Sequence, residues 1–169
     1  MKHLYAPWRS PYARGADKNS EDDPAQACPF CVQIKAGDDT KYAILKRGTT
    51  AYVCLNKYPY NAGHLLVIPY EHQAFIEDIT SHVRAELMEL IAHSTRIVKQ
   101  MLGCEGVNIG INVGKAAGAG IPAHLHAHVL PRWHGDTNFL PVLCETKVIS
   151  LDLRELYDEL KPAFDALVL

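Results

Sequence analysis

The chain has 169 residues, 48% of them hydrophobic and 21% charged, with a formal net charge of −2; this suits one domain with an ordinary core and excludes a fibre or a disordered chain. Its longest apolar runs, such as HLLVIPY, break within about eight residues, where roughly 20 are needed to cross a bilayer, so no membrane span is expected. A chain without a long basic run is not expected to bind a nucleic-acid polymer, and an N-terminus without an apolar stretch or small-residue cleavage site is not expected to be a secretory leader, which places the protein in the cytoplasm.

Residues 1–27 are rich in Pro, Gly, Asp, Ser and Glu and lack a sustained apolar period, so they read as an extended arm ahead of a single domain over residues 28–169. The segment CPFC at 28–31 opens that domain. Five cysteines, an odd number, stand at 28, 31, 54, 104 and 144, which does not suggest a disulfide framework. Cys28 and Cys31 therefore have three readings: a dithiol redox pair, two unrelated thiols, or half of a structural metal site that needs two further ligands. The redox reading calls for a helix opened by the motif within a βαβ unit, and irregular sequence precedes it instead.

KYAILKRG and TAYVCLNKYP carry β-branched and aromatic residues around a Gly-Thr-Thr turn signal and predict an antiparallel hairpin, followed by a more buried strand at GHLLVIP. From Thr80 to Leu102 the residues Val83, Leu87, Leu90, Ile91, Ile97, Val98 and Met101 recur at three- and four-residue steps. That spacing predicts a long amphipathic helix capped by Thr80 or Ser81 and closed near Gly103. GVNIGINVG then predicts a strand, KAAGAGIPA a glycine-rich loop, HLHAHVLP another strand, TKVIS a further one and LDLRELYDELKPAFDAL a short helix. Strands and one long helix without regular βα alternation indicate an α+β fold built on an antiparallel sheet.

The segment AHLHAHVLPRWHGD carries the chemistry. On a strand, His124, His126 and His128 would point to one face about 6.5 to 7 Å apart, with Leu125, Ala127 and Val129 turned to the core. A three-histidine catalytic metal site would need all three to converge, and their span of about 13 Å along a straight strand opposes that. Nucleophilic catalysis at phosphorus fits better, because a neutral imidazole attacks phosphate and leaves a labile phosphoramidate, while neighbouring donors stabilise the equatorial oxygens. Glycines 114, 118 and 120 in NVGKAAGAG, just upstream, offer backbone amides for an anion-binding nest, and Lys115 adds a flexible cation.

These residues resemble the motif of the histidine triad (HIT) superfamily, three histidines alternating with apolar residues, and the likeness extends to LNKYPYNAGHLLVIPYEH upstream, over roughly residues 28–136. HVLPRWHGDTNF is especially similar to the diadenosine tetraphosphate phosphorylase and fragile-histidine-triad branches. The resemblance implies a HIT-like antiparallel sheet, a homodimer and an enzyme that cleaves dinucleoside polyphosphates or related adenine nucleotides at the α-phosphate. It implies that His126 is the nucleophile, that His128 contacts phosphate and assists the leaving group, and that His124 orients the site or binds metal. It further implies that Asn56 holds ribose hydroxyls and Asn112 contacts phosphate. His64 reads either as a support of the triad through a hydrogen bond or as a core histidine. For CPFC, it implies a structural zinc held by Cys28, Cys31, His72 and His124.

The sequence departs from the usual pattern twice. The loop from Asn112 to His124 is one residue longer than in common hydrolase members, as in the phosphorylase-like branch, which leaves water and phosphate both open as acceptor. GAGIPA has no Ser or Thr before the first histidine, so the amides of Gly118, Gly120 and Ile121 with Lys115 are left to hold phosphate. Two other functions use the same residues: a nucleotide-binding or signalling module with little turnover, and a metal-dependent hydrolase.

Overall fold

The hairpin forms as expected, with β1 (Ile44–Arg47) and β2 (Ala51–Leu55) antiparallel around the turn Gly48–Thr50. This is a computed structural model that describes residues 28–138, 143 and 152–169; the arm at 1–27, the TKVIS segment and Cys144 lie outside them. β3 (Leu65–Pro69) pairs with β2 along its whole length, and β4 (Gly106–Ile111) and β5 (Ala127–Arg132) complete a five-stranded sheet in the order β1-β2-β3-β5-β4. Every neighbouring pair is antiparallel.

Two helices cover one face of this sheet. α2 (Ser81–Leu102) begins where Thr80 accepts the backbone N–H of Val83 on its hydroxyl and ends at Gly103, whose φ of 59° is the left-handed conformation that glycine adopts without Cβ strain. Of its buried stripe, Leu87, Leu90, Ile91, Ile97 and Val98 pack on Ala51, Val53, Leu55, Leu65, Val67, Ala127 and Val129, and Val83 packs with Ile79 and Leu125. α3 (Leu153–Asp165) joins that core through Leu156, Tyr157, Leu160 and Phe164, and Asp152 caps it by accepting the N–H of Arg154 and Glu155. Alternation sends Tyr52 and Cys54 to the opposite face with Leu66 and Ile68. This is why β2 and β3 are buried throughout and carry nearly continuous apolar runs.

The second face is covered by a helix absent from the expected order. α1 (Pro29–Ala36) starts at the CPFC motif, with Cys28 as N-cap, Pro29 in the first turn and Gly37 in the left-handed conformation at its end. Proline there costs nothing, since that N–H has no partner within a helix, and the Pro-to-Gly bracket is a legible helix signal. Phe30 of α1 is buried against Tyr52, Cys54, Leu66 and Ile68. Among the described residues, no helix is long and apolar enough to cross a membrane.

Candidate active site and metal cluster

The expectation that His124, His126 and His128 share one strand needs correction. β5 begins only at Ala127, and the β3–β5 register runs from Leu65 opposite Val129 to Val67 opposite Ala127. Two steps further, Leu125 would face Pro69, which has no N–H to continue the ladder. The chain turns away there. Leu125 donates its N–H to Gln73 at 2.7 Å, and the carbonyl of Pro69 instead accepts Nε2–H of His124 at 2.9 Å. The row of imidazoles is thereby divided between two sites.

His124 belongs to the first. With its proton held on Nε2 by the Pro69 carbonyl, it presents the Nδ1 lone pair to Cys28 Sγ at 3.3 Å, His72 Nδ1 at 3.2 Å and Cys31 Sγ at 3.6 Å, while Cys31 Sγ and His72 Nδ1 are 3.4 Å apart. All four ligand atoms lie within 4.8 Å of one another. Ligands at about 2.3 Å for sulfur and about 2.0 Å for nitrogen around a tetrahedral metal stand about 3.3 to 3.8 Å apart, so the observed edges fit such an ion. Burial pushes the His124 imidazole down to about 4, so it offers a neutral ring without losing a proton.

His126 and His128 form the second site, with ring centroids 5.0 Å apart. Their protons are placed oppositely. Nδ1–H of His126 donates to the carbonyl of His124 at 2.8 Å, and since a carbonyl only accepts, Nε2 is left with its lone pair. Burial, with only 5% of the residue exposed, lowers the imidazole's pKa from its ordinary value and favours the neutral ring.

For His128 the order runs from behind. His64 Nδ1 meets the N–H of Tyr60 at 3.0 Å and the side-chain amide nitrogen of Asn56 at 3.2 Å, two donors that require it to accept. The proton of His64 is therefore on Nε2 and donates to His128 Nδ1 at 2.9 Å. That leaves the ring proton of a neutral His128 on Nε2. One ring thus carries a lone pair at Nε2 and its neighbour a donor at Nε2, the pairing needed to attack phosphorus and to protonate a departing oxygen.

The glycine loop is only partly available as an anion nest. After β4 it forms a 3₁₀ turn at Lys115–Ala117, closed by Gly118, whose φ of 87° suits glycine. The N–H of Gly118 donates to the carbonyl of Lys115 at 3.0 Å, and those of Ala117 and Ala119 both donate to Gly114. Gly118 consequently shapes the turn with its amide turned inward, and Gly120 and Ile121 follow it. Asn112 directly succeeds β4, where the register of Ile111 opposite Ala127 brings the chain to the level of His126. Lys115 is exposed.

Asn56 is placed as a brace of His64, since its Oδ1 also accepts the N–H of Tyr58 at 2.9 Å. His82 is exposed on α2, and His93, on the same helix, has Nδ1 2.9 Å from an Arg96 nitrogen. Trp133 packs partly buried against the α2 core, and His134 donates its N–H to Glu105. Phe30 and Tyr60 were not singled out by the sequence. Phe30 approaches His124 and His126 edge-on, at 5.4 and 5.1 Å between centroids, and Tyr60 stacks on His128 at 5.7 Å. The place of Phe30 between two cysteines was a usable signal; Tyr60 offered only an aromatic near the Gly-His segment.

Comparisons with known proteins identify the family and the fold. The HIT domain family matches residues 40–135. The chain is 40% identical over 159 residues to AP-4-A phosphorylase of Mycobacterium tuberculosis, covering 92% of this chain and 80% of that protein. It is 28% identical to an adenosine 5'-monophosphoramidase of Schizosaccharomyces pombe, over 63% of this chain and 74% of that one. Among solved structures, a zinc-bound histidine triad family protein of Mycobacterium smegmatis superposes with a TM-score of 0.68 at 26% identity, over 83% of this chain and 95% of that one.

Proposed function

Because the chain belongs to the HIT domain family, we propose that it is a nucleotidyl-transferring enzyme that cleaves dinucleoside polyphosphates at the α-phosphate through a nucleotidyl intermediate on His126. The observation that carries this reading is the opposite proton placement on His126 and His128 at 5.0 Å. In the first half-reaction Nε2 of His126 attacks the α-phosphorus and forms a P–N bond. The P–O bond to the remaining polyphosphate breaks, and Nε2–H of His128 gives its proton to the leaving oxygen. In the second, an acceptor oxygen attacks the same phosphorus, the P–N bond breaks, and the acceptor's proton returns to His128. We assign the holding of the phosphate oxygens to the amides of Gly120 and Ile121, with Asn112 and Lys115.

Inorganic phosphate is the acceptor we favour, on the strength of the 40% identity to AP-4-A phosphorylase. Diadenosine tetraphosphate with phosphate should then yield ADP and ATP, identified by chromatography of the products. AMP and ATP as the only products, at rates indifferent to phosphate, would make the protein a plain hydrolase.

Zinc is the metal we assign to Cys28, Cys31, His72 and His124, since a partly buried set of two thiols and two imidazoles is a typical zinc site and a zinc-bound relative shares the fold. Such an ion would cross-link α1 to the β3–α2 and triad segments. Four protein ligands would fill its coordination, which disfavours a metal-dependent hydrolase, and the lone pair kept on His126 disfavours a module that only binds. The exposed edge strand β4, with Ile109 53% exposed, supports a homodimer. Cys54 and Cys104, thiols outside any disulfide, are compatible with the cytoplasm.

A further inference from the structure

We propose that the metal cluster positions the nucleophile: with an ion in place, Phe30 and the main chain of His124 transmit the rigidity of the four ligands to the imidazole of His126. The inference rests on the assignments of zinc and of His126 made above, and it gives the cluster a part in the reaction that touches no substrate atom.

Two routes run from ligands to nucleophile, and both are short. The first is covalent through His124. Its Nδ1 is in the cluster, its Nε2–H is tied to Pro69, and its carbonyl accepts Nδ1–H of His126. Fixing the ring of His124 therefore fixes the carbonyl that keeps the His126 proton off Nε2. The second runs through Phe30, which lies between the ligands Cys28 and Cys31 at the start of α1. Its ring, 6% exposed, meets His126 at 5.1 Å with the planes inclined at 63° and His124 at 5.4 Å at 87°. His126 is thus held at one ring nitrogen by a ligand's carbonyl and along its side by a ring set between two ligands.

The four ligand atoms lie within 4.8 Å of one another, and a cation among them would make that close approach favourable. A cluster that spreads lets α1 and the His124 main chain shift together. His126 then loses both restraints. Its ring can turn, or take the tautomer with the proton on Nε2, and in either case the lone pair no longer lies where phosphorus arrives. Groups that orient a reactive or ligating histidine in this way are worth roughly 10- to 100-fold when removed.

The test compares full-length protein loaded with Zn²⁺ against the same protein stripped by a chelator, both labelled with ¹⁵N in the histidine rings. Long-range ¹H–¹⁵N correlation should show His126 as a single Nδ1–H tautomer in the loaded protein and as a mixture or an exchange-broadened ring in the stripped one. Single-turnover nucleotidyl transfer should slow by roughly 10- to 100-fold on stripping and recover on adding Zn²⁺. Phe30→Leu keeps all four ligands and should retain one zinc per chain and a folded spectrum, yet show the tautomer mixture; Phe30→Tyr should restore the single tautomer. If stripping unfolds the chain, the Phe30 pair decides. An unchanged His126 tautomer and rate in folded, stripped protein, or in Phe30→Leu, overturns the coupling while leaving the nucleophile assignment intact. Failure to bind Zn²⁺ overturns the coupling together with the metal assignment, and retained turnover in His126→Ala overturns the reading beneath both.

Discussion

His64 Nε2 stands 2.9 Å from His128 Nδ1, and the two donors on the far side of His64 leave it only one way to place its proton. His64 is 1% exposed, so this contact is shielded from competing water. His64→Ala removes the donor that orients His128 and should lower kcat by roughly 10- to 100-fold with little change in KM. His64→Gln, which keeps an N–H at a similar reach, should recover part of the loss. Steady-state kinetics on a dinucleoside polyphosphate measures both, and equal kcat in all three proteins would show that His128 needs no such partner.

Zinc content and stability should move together. Protein purified without added metal should hold about one zinc per chain, read by elemental analysis. Cys28→Ser removes a thiol ligand while leaving a good N-cap residue on α1, where Cys28 itself makes no side-chain cap hydrogen bond. Metal content and Tm should both fall through the lost ligand. Metal-free protein of undiminished Tm would give the thiols another role.

Acid stability should report on the end of β5. The Arg132 guanidinium, 2.6 Å from Asp136 through Nε, holds its carboxyl well below the usual aspartate range, helped by the N–H of Trp133. Because the folded-state pKa is depressed, the stabilisation is fully present above the unfolded value of about 3.9 and is lost as pH falls below it toward the folded value. Asp136→Asn should therefore lower Tm near neutrality, with the gap to the parent narrowing only in acid. Thermal scans across that range test this, and a gap independent of pH would remove the charge from the explanation.

What the sequence made legible follows the range of each interaction. Thr80, the apolar stripe from Val83 to Val98 and Gly103 are local signals, and the helix they predict is the one observed. Alternation correctly turned Ala127 and Val129 to the core. It did not reveal that the strand starts at Ala127, because the cause, the missing N–H of Pro69, lies on another strand. For the same reason His124 was given both to the triad and to the metal set, and only the fold shows its side chain in the cluster and its carbonyl under His126. α1 was missed although Pro29 and Gly37 bracket it, since the irregular arm before it hid the start. Asn56, set beside ribose by the resemblance, is tied to His64 and Tyr58 by contacts that spacing alone does not report.

The central claim is that His126 carries the nucleotidyl group, and the most direct measurement is to trap it. Full-length protein is mixed with diadenosine tetraphosphate, quenched within a turnover, and digested for peptide mass analysis. The account predicts one nucleotidyl group on the peptide containing His126, through a bond labile to acid and stable to base, with its formation abolished in His126→Ala and turnover lowered there by several orders of magnitude. An unmodified His126 in protein that turns over, or His126→Ala with full activity, would contradict it.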